Sequence, residues 1–192
     1  MSELDEQFEF WNNLQIKAKE NMIRHEKTGH GVLIEVAAQH PLIDGLFPNE
    51  EFEKRLQAAI ELYQQNKAKG ILTKIYVPGS LHMADGVADK RSLSEAGGLY
   101  LAEHGVSKED IYGEDMNFKY KGKEGCYNSA DECFVSGKIF EDGNFQYLYS
   151  ACSSGQLMRK ALCYMFLFSK AFLAQICIIA MCMKRSKASR PF

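Results

Sequence analysis

The sequence lacks a dominant charge of either sign. Its 23 basic and 25 acidic residues give a formal charge of −2 and a pI near 6.2. This balance provides no general field to hold a polyanion, and no basic stripe with interleaved aromatic residues is present. We therefore expect no nucleic-acid partner.

Short metal-binding and export signals are also missing. The six cysteines never form a C-x-x-C pair, the spacing typical of zinc and redox sites. The first residues, M-S-E-L-D-E-Q-F-E-F-W, are acidic where a secretory signal is basic, and no apolar segment follows them. These absences predict a cytoplasmic protein with reduced thiols and no metal site.

Two widespread enzyme fingerprints are absent as well. The first apolar run leads into V-A-A-Q-H-P instead of the glycine-rich G-x-G-x-x-G turn, which disfavours a standard dinucleotide site. No G-x-S-x-G elbow indicates a serine hydrolase. The sequence therefore leaves the cofactor, the reaction and the oligomeric state undetermined.

What the sequence does contain is an alternation of short apolar runs with amphipathic segments. Strands are predicted at residues 31–38, 71–77, 110–114 and 145–152. Helices are predicted from Asn49 to about Gly70, from Ser92 or Ser94 to Glu103, from Asn128 or Ser129 to about Phe140, and from the Ser153-Ser154-Gly155 turn onwards. Such alternation predicts a three-layer αβα sandwich that is Rossmann-like and has a mostly parallel sheet.

The chain length favours a single domain. With 192 residues, we assign residues 30–192 to one α/β domain and residues 1–29 to an N-terminal helical extension. Residues 162–183 are largely apolar and precede a basic flank, which suggests a membrane alternative. A lysine near the middle of a spanning helix costs roughly 2.5–3.5 kcal/mol on insertion, however, and Lys170 lies inside the run. We therefore expect residues 176–180 to form a further core strand, after a helix that ends near Phe168.

Several short motifs occur in the order found in a known family. They are Arg55-Leu56, Ser94-Glu95-Ala96, Gly105-Val106 with Ile111 and Glu114, Asn128-Ser129, and Ser153 with Arg159. From about residue 31 to about residue 164 the chain resembles the YdcF-like (DUF218) family, which also contains the SanA and ElyC envelope proteins. The resemblance implies a Rossmann-like fold with a ligand pocket, and it fades after residue 164.

The chain departs from that family at several positions. The glycine-rich end of the first strand is Ala37-Ala38-Gln39, the Ser-Gly-Gly element is Pro78-Gly79-Ser80, an asparagine is replaced by Glu132, and a histidine is replaced by Gln156. Glutamine cannot exchange a proton near neutral pH, so a binding function survives this change more readily than a catalytic one. A non-catalytic, degenerate relative with a regulatory or interaction role is the alternative hypothesis.

The candidate ligand-binding residues lie where predicted strands end or helices begin, the usual location of sites in open α/β sheets. They are Gln39, Gly79, Ser80, Glu95, Glu114, Ser129, Ser153, Ser154 and Arg159. Glu114 is also the candidate catalytic residue, and the alternative is a solvated carboxylate in a turn. Glu95 is favoured in the first turn of a helix whatever its function.

The turn at Ser153 and Ser154 and the guanidinium of Arg159 together suggest an anion site. The alternatives are an ordinary helix cap and an ion pair of Arg159 with Glu95 or Glu114. His40 and His82 follow strands and can overlook the pocket, but surface loop histidines are the commoner case. Cys152 is interpreted as a small buried hydrophobe in preference to a reactive thiolate.

These observations predict a small-molecule binding protein whose ligand is phosphorylated or nucleotide-like. Whether it is also an enzyme is left open.

Overall fold

A computed structural model describes residues 31–84, 87–113, 126, 128–143, 145–167 and 176–181. The helical extension predicted for residues 1–29 and the candidate Glu114 lie outside these ranges.

A five-stranded, all-parallel sheet forms the centre of the described structure. The strands are β1 (Val32–Val36), β2 (Thr73–Val77), β3 (Met83–Ala84), β4 (Val87–Ala88), β5 (Ile111–Gly113), β6 (Tyr147–Ser153) and β7 (Ile176–Met181). The sheet order is β5-β2-β1-β6-β7, while β3 and β4 form a separate antiparallel hairpin. The predicted parallel α/β fold is therefore confirmed.

Among the described residues, four α-helices lie between the strands of the main sheet. They are α1 (Glu50–Ala68), α2 (Leu93–Glu103), α3 (Ser129–Asp142) and α4 (Ser154–Leu167). Asn49 caps α1, Ser92 caps α2 and Asn128 caps α3, each accepting a hydrogen bond from a backbone N–H of the first turn. The predicted helix starts are confirmed at these three positions.

The helices cover the two faces of the sheet in pairs. On one face, side chains of α1 and α2 such as Phe52 and Leu93 pack against Ile34 of β1. On the other face, α3 and α4 contribute Cys133 and Tyr164 to a second cluster. Alternate residues of β1, β2 and β6 supply both clusters, so the described structure has the three layers expected.

The carboxyl-terminal strand extends the sheet beyond β6. β7 pairs in parallel with β6 from Leu148↔Ile176 to Ser153↔Met181, which confirms a strand where residues 176–180 were predicted to form one. Among the described helices, none combines the length and the apolar character needed to cross a membrane.

Candidate functional site

The strand order creates a switch point beside β1. From β1 the chain proceeds through β2 and β5 on one side of the sheet, and β6 and β7 lie on the other. Crossover loops diverge at such a point, which leaves a crevice outside the carboxyl ends of the strands. A cleft of about 690 Å³ lies at this place, between the loops after β1 and β2 and the helices α3 and α4.

Five of the predicted binding residues line this cleft. They are Gln39, Gly79, Ser80, Ser129 and Arg159. The other candidates are placed differently. Ser153 is the last residue of β6 and is not among the described lining residues, and Ser154 is the first residue of α4.

Glu95 lies in the first turn of α2 and is not a described lining residue of the cleft. Its Oε1 atom accepts a hydrogen bond from Nε of Arg91 at 3.1 Å, in a pair exposed to solvent. Its position fits the expected preference of a carboxylate for a helix start. The structure does not bring Glu95 together with Arg159.

Arg55 shapes the wall of the cleft at the end of β1. Its buried guanidinium donates to the carbonyl oxygens of Ala37 at 2.9 Å and Ala38 at 3.1 Å, and to Oε1 of Gln39 at 2.9 Å. Glu51, on the same helix, forms an ion pair with it. One buried cation thus fixes both the backbone after β1 and the amide of Gln39.

Gly79 allows a close approach between three elements. Its φ is +119°, and a Cβ atom there would lie 2.7 Å from Cβ of Leu93 and 3.0 Å from Cβ of Ala38. Its carbonyl oxygen accepts from the backbone N–H of Ser94 at 2.8 Å. A side chain at this position would force the end of β2 away from α2 and from the loop after β1.

His40 and His82 stack on each other at the cleft, with ring centroids 3.8 Å apart and planes 22° from parallel. Partial burial lowers the pKa of His40, the neighbouring His82 lowers it further, and Asp89 opposes the shift. His40 is therefore held towards its neutral form. The sequence offered a pocket role for both residues only as an alternative to an ordinary loop position.

Arg159 provides an exposed cation in the cleft. It forms no ion pair with any residue that the structure describes, and Glu95 is paired with Arg91 instead. A guanidinium of this kind is free to receive an anionic group from a ligand.

A buried group of charges lies beneath the cleft. We call it the Lys160 cluster, and it consists of Glu35, Glu132, Ser150, Lys160 and Tyr164. The ammonium of Lys160 donates to Oε1 of Glu35 and to Oε2 of Glu132. Ser150 donates to Oε2 of Glu35, and the hydroxyl of Tyr164 donates to the same oxygen at 3.3 Å.

The Lys160 cluster reaches solvent at one end. Glu35 and Lys160 are fully buried, whereas the side chain of Glu132 is 12% exposed and lines the cleft. Burial by itself would lower the pKa of Lys160, but the carboxylates of Glu132 and Glu35 outweigh it and raise the pKa above its usual range. Lys160 therefore stays charged and holds Glu132 at the cleft surface.

Most of this cluster is not predicted by the sequence. Glu132 stands out there only as a departure from the YdcF-like pattern, and neither Glu35 nor Lys160 stands out. A signal for Glu35 existed, because a carboxylate inside the apolar run V-L-I-E-V must find a buried partner. Lys160 had no comparable signal, since it follows Arg159 in a helix with polar residues on several sides.

Cys152 does not provide a reactive thiol at the end of β6. Cys152 is fully buried, and burial raises the pKa of its thiol to about 11. The interpretation of Cys152 as a small buried hydrophobe is thus confirmed. Within the ranges described, no cluster of histidine, cysteine, aspartate and glutamate has a geometry able to hold a metal ion.

Comparisons of the chain with models of known families, with curated proteins and with solved structures give no match. The resemblance to the YdcF-like family stays a prediction that depends on the motifs alone.

Proposed function

We propose that this protein binds a small phosphorylated ligand in the cleft at the carboxyl ends of β1 and β2. The observation that carries the proposal is Arg159, an exposed cation that lines the cleft and has no ion-pair partner among the described residues. Arginine presents a planar fork of N–H donors that matches the oxygens of a phosphate group.

A second helix start at the cleft, that of α3, is already occupied. The start of α3 lines the cleft, but Oδ1 of Asn128 accepts hydrogen bonds from the backbone N–H groups of Ala130 and Asp131 at 2.9 and 3.0 Å. Those donors are therefore not free to hold a phosphate. Arg159 is left as the principal charge for this purpose.

The remaining surface of the cleft suits a nucleotide-like ligand. The stacked rings of His40 and His82 offer a flat surface, and Leu81 and Leu93 provide apolar area next to it. Mixed linings of this kind, apolar with a few well-placed polar groups, are typical of small-molecule sites. Gln156 stands in the cleft where relatives are expected to have a histidine, so the proposal is one of binding and includes no reaction.

The proposal is tested by thermal unfolding with adenosine monophosphate and ribose 5-phosphate as probes. A hundredfold excess of ligand over Kd stabilises a folded protein by about 2.7 kcal/mol. We expect stabilisation of the wild-type protein and an affinity loss of about tenfold or more for Arg159→Ala, because a hydrogen bond to a charged group is lost.

Arg91→Ala is the matched control, because it removes a partly exposed arginine that is not a described lining residue of the cleft. It should leave the affinity unchanged. The proposal fails if neither probe stabilises the wild-type protein, or if folded Arg159→Ala binds them with undiminished affinity.

A further inference from the structure

We infer that the cleft selects phosphate esters of sugars or other polyols, with Glu132 binding the hydroxyl groups and Lys160 holding Glu132 in position. This inference rests on the phosphate site proposed at Arg159 and specifies which class of phosphorylated molecule that site takes.

The first step is the placement of the carboxylates in the Lys160 cluster. Two of them, Glu35 and Glu132, contact the single ammonium of Lys160. Glu35 and Lys160 are fully buried, and Glu132 alone among the three is partly exposed. Glu132 is therefore the carboxylate of this group that faces the cleft.

The second step concerns the placement of two neighbouring cations of α4. Arg159 and Lys160 are consecutive in α4, so their side chains leave the helix in different directions. Arg159 is exposed at the cleft, while Lys160 is directed into the core, where it bonds Glu132 of α3. One turn of α4 thus supplies two cations with different roles. Arg159 is available to an anionic group of the ligand, and Lys160 holds the carboxylate of Glu132 at the wall of the same cleft.

The third step is a further acceptor in the cleft. The Oε1 atom of Gln156 is buried and has no hydrogen-bond partner within the described part of the chain. An unpaired buried acceptor is costly, and a donor from a ligand would satisfy it. Gln156 and Glu132 therefore both favour a ligand that donates hydrogen bonds.

Together these groups place a cation and a carboxylate in one cleft, and this arrangement disfavours ligands that carry more than one phosphate. The cation of Arg159 attracts a first phosphate, whereas the carboxylate of Glu132 repels a second one and accepts hydrogen bonds from hydroxyl groups. A sugar phosphate suits both groups, because its phosphate can bind Arg159 and its hydroxyl groups can donate to Glu132. Pyrophosphate and other dense polyanions suit only Arg159.

The inference is tested by titration calorimetry with three probes on two variants. The probes are ribose 5-phosphate, n-pentyl phosphate, which lacks hydroxyl groups, and pyrophosphate. The variant Glu132→Gln keeps the size of the side chain and removes its charge. The matched control is Glu141→Gln, the same change on an exposed residue of α3 that is not a described lining residue of the cleft.

We expect the wild-type protein to bind ribose 5-phosphate at least about tenfold more tightly than n-pentyl phosphate, the effect of hydrogen bonds to a charged acceptor. Glu132→Gln should remove most of this preference and should tighten the binding of pyrophosphate. Glu141→Gln should change neither. Opposite effects on two probes separate a change in the site from general damage to the fold.

The outcomes distinguish this inference from the proposed function. Binding of none of the three probes by the wild-type protein overturns this inference, and the proposed function fails with it if adenosine monophosphate also gives no stabilisation. If the wild-type protein binds phosphates without preferring ribose 5-phosphate, or if Glu132→Gln weakens all probes equally, the inference is wrong and the phosphate site at Arg159 stands. Should Glu132→Gln fail to fold, the comparison of ribose 5-phosphate with n-pentyl phosphate on the wild-type protein decides alone.

Discussion

The two faces of the sheet are built on different physical principles. On the face covered by α1 and α2, β1 contributes Val32, Ile34 and Val36 to a core dominated by aliphatic and aromatic side chains. On the face covered by α3 and α4, the alternate residues of the same strand include Glu35, which belongs to the Lys160 cluster. One strand therefore serves an apolar core on one side and, on the other, an apolar cluster that contains its Leu33 and is interrupted by a buried ion group.

This difference indicates that the charged residues of the α3–α4 face position a side chain more than they stabilise the fold. Apolar burial stabilises a fold roughly in proportion to the area removed from water. A buried ion pair is weak evidence of stabilisation, because desolvation of its charges can exceed their mutual attraction. The Lys160 cluster has another evident consequence, since it carries Glu132 to the surface of the cleft.

The largest effect is expected from breaking the ion cluster at its centre. Lys160→Met retains most of the side-chain volume but leaves Glu35 buried without its counter-ion, which should destabilise the protein by about 3–5 kcal/mol. Leu56→Ala on the apolar face should cost about 2–5 kcal/mol through loss of packing. Urea denaturation measures both variants. A loss below about 1 kcal/mol for Lys160→Met would show that the fold does not depend on a counter-ion for Glu35.

A double substitution sharpens the comparison. Glu35→Leu combined with Lys160→Met replaces the fully buried ion pair with apolar groups, while Glu132 retains its access to the cleft. We expect the double variant to regain roughly 2–4 kcal/mol relative to Lys160→Met alone, because replacing a whole buried pair is often neutral. The same denaturation experiment measures the recovery. A double variant less stable than the single one would show that the cluster itself stabilises the fold.

The α3–α4 face should also make the protein sensitive to alkaline conditions. Burial raises the pKa of Cys152 from 9.0 to about 11, so the folded state retains a proton that the unfolded state releases. This contribution is fully present below pH 9 and is lost as the pH rises to about 11, by about 2–3 kcal/mol. Burial also raises the pKa of Cys133 and of Tyr164, with the same sign.

Cys152→Ala should flatten the fall in stability between about pH 9 and 11, measured by denaturation at a series of pH values. Leu56→Ala is the control on the apolar face. It should lower stability at every pH by a similar amount and leave the slope unchanged. Equal slopes for the wild-type protein and Cys152→Ala would contradict the assignment.

The smallest effect is expected at the helix starts, where the two faces are alike. Asn49 caps α1 and Asn128 caps α3 through the same side-chain acceptor. Replacing either asparagine with alanine should cost about 1 kcal/mol, and replacing it with serine should cost less, because serine retains an acceptor. Thermal melting of the four variants gives the comparison. Nδ2 of Asn49 also donates to the carbonyl oxygen of Pro41 at 2.8 Å, so any excess loss should occur at Asn49, and a larger loss at Asn128 would contradict this comparison.

The fold was predictable because its signals are local. Alternating apolar runs, the caps at Asn49 and Ser92, and the strand at residues 176–180 could all be recognised in short windows of sequence. Strand order could not be recognised, because it depends on which distant segments pair. Within the candidate site, Gln39 and Arg159 line the cleft, and their positions after a strand and near a helix start are the local signals that singled them out. Their role in binding stays a prediction.

The Lys160 cluster escaped prediction for the same physical reason. Its members come from β1, β6, α3 and α4, and no sequence spacing relates them. The stacked pair of His40 and His82 likewise depends on two loops that only the folded sheet brings together.

The distant origin of the cluster also has a kinetic consequence. Glu35 is separated by 115 residues from Ser150 and by 125 residues from Lys160. During synthesis β1 therefore emerges long before the partners of its carboxylate exist, and closing so long a loop is slow. We expect the cluster to assemble after the main folding transition state. Stopped-flow kinetics of Lys160→Met should then show faster unfolding with little change in the folding rate, and a variant that folds much more slowly would place the cluster in the nucleus.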